Sequence, residues 1–343
     1  MKRISITSAA LLAVVLAVAG CGGSSDSKSG ASTPTASKGG KTLSLVAYST
    51  PQVVYDELTP AFAKTAAGKG VGFTSSFGPS GDQSRAVEAG LKADIVTFST
   101  EPDMTRLVKD GLVSPDWNSG ANKGLITTSE VAFVVRKGNP KHIKTWADLL
   151  KPGVKVLTPN PFESGAAKWN LLAAYGQASN NGKDPKAGLA YVSELIKKHV
   201  VVQDKSGRDA LNNFTSGTGD VLLSYEYEAT TAQKKGETVD YVLPDKTIKI
   251  NIDIATTKKA PPQAETFVNY ALSKPAQEVF ASWGYRPVNA EVLKANAAKF
   301  PVPPHQFTID DLGGWTKVND TLFDPDKGSI AKIEADAGVS TSK

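Results

Sequence analysis

From Leu43 onward, short apolar runs that read as strands alternate with segments of helical period, and each strand ends in a joint rich in Ser, Pro or Gly. Such alternation restricts the chain to α/β architecture with a mainly parallel sheet, where ligands bind at the carboxyl ends of the strands. Leu43 to Tyr48 is the first strand, and Val54, Leu58, Ala61 and Phe62 place the inward stripe of the helix behind it. Val71, Phe73, Ser75 and Phe77 alternate as a strand should; Ser80 then opens a helix whose inward residues are expected at Ala86, Val87 and Leu91. Asp94 to Phe98 reads as a short buried strand and Asp103 to Lys109 as a helix closed by Gly111. Ser49, Ser80 and Ser99 all fall at strand ends.

The same pattern repeats after Val131. The apolar run Val131 to Val135 precedes a capping box at Thr145 and Asp148, and Val154 to Leu157 is the next strand. In Thr158 to Gly176 a turn rich in Pro, Asn, Ser and Gly opens into a helix with Trp169, Leu172 and Ala173 at helical spacing. Ser164, just before Gly165 and Ala166, is placed as an N-cap that leaves first-turn N–H groups free, a ready anion site. Further strands are expected at Val200 to Val202 and Val221 to Tyr225, with helices begun by Asp184-Pro185 and by Ser206-Gly207-Arg208. Tyr241 to Pro244 reads as a return crossing, followed by the alternating strand Ile248, Ile250, Ile252 and Ile254. The layout is a first lobe over 43–130, a second over 131–240, and a return to the first over 241–343, whose C-terminal segment is expected to pack on the first lobe. Two hinge strands side by side suit closure over a ligand.

The first twenty residues combine Lys2 and Arg3 with an apolar run from Ala9 to Ala19, well short of the roughly 20 residues a membrane span needs. Residues 1–20 therefore read as a secretory signal. Val18, Ala19 and Gly20 before Cys21, the only cysteine, match the lipobox of bacterial lipoproteins, in which the thiol receives the lipid. Over 21–42 the chain is a lipidated Cys21 and a tether of small polar residues, and the lipid is the expected sole anchor at the outer face of the cell membrane. About three hundred residues remain, more than one core of usual size holds, so two lobes are favoured. A net charge of +5 spread along the chain offers no footprint for nucleic acid.

Nothing in the chain assembles a reaction centre. FGPSGD is not a G-x-S-x-G elbow, because its Ser80 follows Pro79. The three histidines, His142, His199 and His305, read as exposed and remote from Ser80 and Ser164, which argues against a secreted hydrolase. No His or Cys pair has metal-ligand spacing, and no cofactor is implied. Glu226 and Glu228 fall on different sides of a helix and are expected to be solvated. Singly, Ser80 or Ser164 is a structural N-cap and Tyr225 a core residue; it is their combination that points to a binding site.

From about Leu43 to about Asp324 the chain resembles the periplasmic sulfate-binding proteins, the capturing components of sulfate and thiosulfate ABC importers. The likeness rests on SGDQSRAVEAGLKADIVTFS, VAFVVRKGNPK, LLKPGVKVLTPNPFESGAAKWNLLAAYG, GDVLLSYEYEA, and GYRPV followed by FTIDDLGGW, in order and spacing. It implies a type II periplasmic binding fold, with two α/β lobes, two hinge crossings and a cleft between them. It also implies a non-enzymatic, monomeric receptor that delivers sulfate, or thiosulfate, to permease subunits; molybdate and tungstate are the alternatives on the same fold. Carried over by position, the anion ligands are Ser49, Ser80, Ser164, Gly165, Ala166, Gly207 and Tyr225, the last replacing the family's Trp. Arg208 is expected behind them, paired with Asp94 across the cleft.

The physics agrees with that likeness. A dianion taken out of water needs many donors, since each charge-assisted hydrogen bond returns only about 1.5 to 3 kcal/mol net. Helix N-termini, each with roughly half a positive charge, supply donors in fixed positions. Phosphate keeps a proton at neutral pH, and a site lined only by donors leaves that proton unpaired.

Overall fold

The computed structural model describes residues 41–341, so the signal segment, Cys21 and nearly all of the tether lie outside the described residues. Strand β1 (Thr42–Tyr48) is buried from Leu43 to Tyr48 because it is flanked on both sides by parallel neighbours, β2 (Gly72–Gly78) and β3 (Ile95–Phe98). Its apolar run, broken only by Ser44, is what a strand covered on both faces requires. Helices α1 (Gln52–Ala63), α2 (Ser80–Glu88) and α3 (Glu101–Lys109) fill the connections. Ala61 and Ala86 are only half-buried and Leu91 is 40% exposed, against expectation. Helix α2 ends at Glu88 and Gly90 takes φ +106°, so Leu91 no longer follows the helical period that would have turned it inward.

The twelve-residue strand β4 (Leu125–Arg136) serves both halves of the molecule. Beyond it come β5 (Val156–Leu157), α4 (Gly165–Ala178), α5 (Pro185–Glu194), β6 (Val200–Val202), α6 (Gly207–Thr215), β7 (Val221–Tyr225), α7 (Glu226–Lys234) and β8 (Val239–Val242). The chain then returns through β9 (Lys249–Thr256), α8 (Pro262–Ala271), α9 (Lys274–Ser282), β10 (Arg286–Pro287) and α10 (Ala290–Ala295). Residues Leu125 to Glu130 of β4 pair antiparallel with β9, whereas Val131 to Arg136 pair with β7 and β8. The strand order β2-β1-β3-β9-β4-β7-β5-β6 thus splits at β4 into two α/β lobes. Burial of Ile248, Ile250, Ile252 and Ile254 seats the returning strand firmly beside β4.

The C-terminal segment lies mainly on the second lobe rather than the first. After β10 the chain reaches α11 (Gly314–Val318) and α12 (Ser329–Asp336), and α12 packs on α5. The Phe307 ring fills the space where Gly176 of α4 lacks a Cβ, and Trp315 meets Trp169 edge to face at 4.8 Å. Gln203 Nε2 donates to Glu334 at 2.7 Å and Asn160 Nδ2 to the Ser340 carbonyl at 3.0 Å. An amphipathic stripe shows that a helix is buried without showing against what, which is why the sequence misplaced this segment.

Candidate functional site

Three helix mouths meet where the lobes touch. Helix α2 begins at a β2 end, α4 after the turn following β5, and α6 after β6. A Cβ built on Gly165 would overlap Ser99 Oγ and stand 2.9 Å from Thr100 Cγ2 and 3.4 Å from Ser80 Cβ. One on Gly207 would lie 3.3 Å from Thr50 Cγ2 and 3.5 Å from Ala166 Cβ. Ser80, Gly165, Ala166 and Gly207 therefore come together beside the Ser49-Thr50 joint that follows β1, with Ser49 half-buried and Thr50 buried. The first main-chain bonds of these helices run from Gln83 to Pro79, Lys168 to Ser164 and Ala210 to Ser206. Earlier N–H groups have no acceptor inside their helices and carry the positive ends of three dipoles.

The hydroxyls divide into two kinds. Ser164 occupies the N-cap position of α4 but makes no side-chain cap bond, so capping does not explain it. Ser80 lies one residue inside α2, and its Oγ donates to Asp103 Oδ2 at 2.7 Å while accepting from Ser99 N at 3.1 Å. Its proton is engaged, which leaves its main-chain N–H as the group available to an anion. Ser206 caps α6, accepting from Asp209 N at 3.1 Å, so Gly207 and Arg208 head that helix with open N–H groups.

Asp103 changes the expectation of a site lined by donors alone. It is buried next to Ser80 and receives Thr100 Oγ1 at 2.8 Å and Arg106 Nη1 at 3.3 Å as well as the serine. Three donors thus take up most of the acceptor capacity of this carboxylate. Sequence reasoning missed Asp103, Thr100 and Thr50 as parts of the site. The signal for Thr50 and Thr100 was their position directly after Ser49 and Ser99 at strand ends.

Tyr225 ends β7, fully buried, and its hydroxyl has no partner of hydrogen-bonding geometry among the described residues, with Ser99 as a polar neighbour. Burial pushes its pKa up, so the phenol stays protonated and able to donate. Arg208 does not pair with Asp94. Its Nη2 donates to the Thr50 carbonyl at 2.7 Å and contacts Glu228 Oε1 at 3.0 Å, whereas Asp94 accepts from Ser44 N at 2.7 Å. Asp94 precedes β3, at the strand end opposite the cleft, which puts it out of reach of that role.

Glu226 and Glu228 are buried rather than solvated. Glu226 forms a two-pronged pair with Arg286, at 2.7 and 3.1 Å, and Glu228 backs Arg208. Burial pushes Glu228 up to about 7 against the pull of Arg208. Helix period alone cannot show that α7 enters the core end-on, with Glu226, Tyr227 and Glu228 all covered. His199 is also buried, its Nδ1 3.2 Å from the Val154 carbonyl, while His142 and His305 are exposed. Among the described residues no group of His, Cys, Asp or Glu is arranged to hold a metal ion, and no helix is long and apolar enough to cross a membrane.

Two α/β lobes joined by hinge crossings, with helix N-termini facing across a cleft, define a type II periplasmic binding fold. Residues 43–286 match the family described as bacterial extracellular solute-binding protein. A sulfate-binding protein of Synechococcus elongatus is 40% identical, with 97% of each chain covered. A thiosulfate-binding protein of Pseudomonas aeruginosa is 34% identical over 94% of this chain and 96% of its own. The solved structure of the sulfate-binding protein SubI from Mycobacterium tuberculosis H37Rv superposes with TM-score 0.81 at 45% identity, covering 83% of this chain and 100% of that one. The chain belongs to the bacterial extracellular solute-binding proteins, within their sulfate-binding family, and its place is extracytoplasmic.

Proposed function

We propose that the protein is a receptor that captures sulfate between its lobes and hands it to an ABC permease without chemical change. The observation that carries this reading is the meeting of the α2, α4 and α6 N-termini beside the unpartnered Tyr225 hydroxyl. Main-chain N–H groups at Ser49, Ser80, Gly165, Ala166 and Gly207, with the Ser164 and Tyr225 hydroxyls, would hold the dianion. Micromolar affinity needs only about −8 kcal/mol, within reach of such a set. Arg208, bound to the Thr50 carbonyl and Glu228, would screen the anion from behind.

The lobes would run over 43–130 and 131–240, with the first completed from 241. Lipidation of Cys21 would tether the monomer to the membrane near its permease. Thiosulfate is the second reading, favoured by the Pseudomonas aeruginosa relative. Calorimetric titration of the chain from Gly22 onward with sulfate, thiosulfate, phosphate and molybdate tests the proposal. Micromolar sulfate binding with phosphate silent is expected; tight thiosulfate with weak sulfate would correct the ligand, and silence toward every oxyanion would overturn the receptor reading.

A further inference from the structure

Trp169 stands on the second turn of α4, fully buried, with its indole aimed out of its own lobe. Nε1 donates to the Ser99 carbonyl at 2.5 Å, and Ser99 belongs to the joint between β3 and α3 of the first lobe. The joint is fixed from the other side, because Ser99 N donates to Ser80 Oγ. One peptide segment thus receives the second lobe at its carbonyl and steadies the α2 mouth through its N–H. The same place is where the lobes come closest, since Gly165 has no room for a Cβ against Ser99 Oγ.

The ring is held from behind. Trp315, in the C-terminal segment, meets it edge to face with centroids 4.8 Å apart and planes at 76°. Such a pair fixes the azimuth of the indole and hence the direction of its N–H. Nothing in the packing of α4 requires that N–H to reach the other lobe: a phenyl ring would fill much of the same space.

We propose that Trp169 is a closure latch, a positioning residue that bonds the lobes together once they meet, and that the C-terminal segment serves it by supplying Trp315. The inference rests on the receptor reading in one respect, that closure traps the anion. An interaction present only in the closed form slows release and leaves encounter with the open form unchanged.

The test is stopped-flow measurement of sulfate binding to Trp169→Phe and Trp315→Leu, with thermal unfolding of each protein free of sulfate. For Trp169→Phe the release rate is expected to rise about 5-fold, what one neutral hydrogen bond supports, with the association rate within about 2-fold of the parent. Trp315→Leu should move the release rate the same way by less. A release rate equal to the parent's, or a loss confined to association, overturns the latch. Should Trp169→Phe not fold, the Trp169 indole proton of the parent is followed by NMR, its exchange expected to slow when sulfate is added; unchanged exchange overturns the proposal. Should the parent bind no sulfate, the receptor reading fails separately. The latch is then judged by small-angle scattering, where Trp169→Phe should be more expanded than the parent and an identical curve overturns it.

Discussion

Ser80 gives its hydroxyl proton to Asp103 across 2.7 Å, whereas Ser164, at the equivalent helix mouth of the other lobe, makes no cap bond with its own. Two serines that look alike in sequence therefore do different work. Ser164→Ala should weaken sulfate binding about 10-fold or more, the effect of one charge-assisted hydrogen bond, with little change in thermal stability. Ser80→Ala should cost about 1 to 2 kcal/mol of stability by leaving Asp103 short of a donor, and change affinity less. Titration and thermal unfolding of both variants decide it, and the reverse pattern would refute the assignment.

Tyr225 buries a hydroxyl that no group of the described chain satisfies. In Tyr225→Phe that burden disappears, so the sulfate-free protein should unfold at the same temperature as the parent or slightly higher. Sulfate affinity should fall by about 10-fold, because the anion loses a donor. A variant less stable without sulfate, yet unchanged in affinity, would make Tyr225 a core residue and nothing more.

How far the sequence reached is clear from individual residues. Strand and helix alternation, the Ser-Gly mouths and the crossing at β4 were legible because period and capping are local properties. The partners of Arg208, the cover over Glu228 and the seat of Trp315 were not, because each depends on what tertiary packing brings alongside. The Arg208 to Asp94 pairing failed in this way: the charges were right, but Asp94 sits at the wrong end of its strand. Asp103 was visible as a helix residue, and only the approach of α3 to α2 made it part of the site.

Arg208 and Glu228 should behave as a unit. Glu228 has no exposed surface, and its Oε2 lacks a partner, so losing the guanidinium removes the charge that opposes its burial and its carboxyl must hold a proton to higher pH. Arg208→Met should destabilise the protein by about 1 to 3 kcal/mol, the loss growing as pH rises above about 7, where Glu228 of the parent is ionised. Glu228→Gln should be tolerated better, and the double variant should recover much of the loss. A double-mutant cycle in urea measures this; strict additivity would show that the two side chains do not act together.

The hinge carries a pH dependence of its own. Glu130, the β4 residue at which pairing passes from one lobe to the other, lies 4.0 Å from Arg286, whose guanidinium is already bidentate on Glu226. Gln306 reaches one oxygen of Glu130 at 2.5 Å, while the other has no partner. Burial pushes Glu130 up to about 8, with Glu226 adding to the rise and Arg286 and Lys249 opposing it. An acid whose pKa is higher folded than unfolded holds its proton more tightly in the native state, so stability falls as pH rises between the two values. For Glu130 the window runs from about 4.5 to about 8, and Glu228 and Glu334, both pushed up to about 7 by burial, act in the same direction. Glu130 alone should account for a decline of about 3 to 5 kcal/mol across its window. Urea unfolding between pH 5 and 8 should show stability decreasing throughout, and Glu130→Gln, neutral at every pH, should make the decline between about 7 and 8 shallower than the parent's, the remainder there belonging to Asp253, which burial holds well above the usual carboxylate range. If the variant kept the parent's slope there, Glu130 would not be the titrating group, and Glu226, its neighbour across Arg286, would be the next to replace.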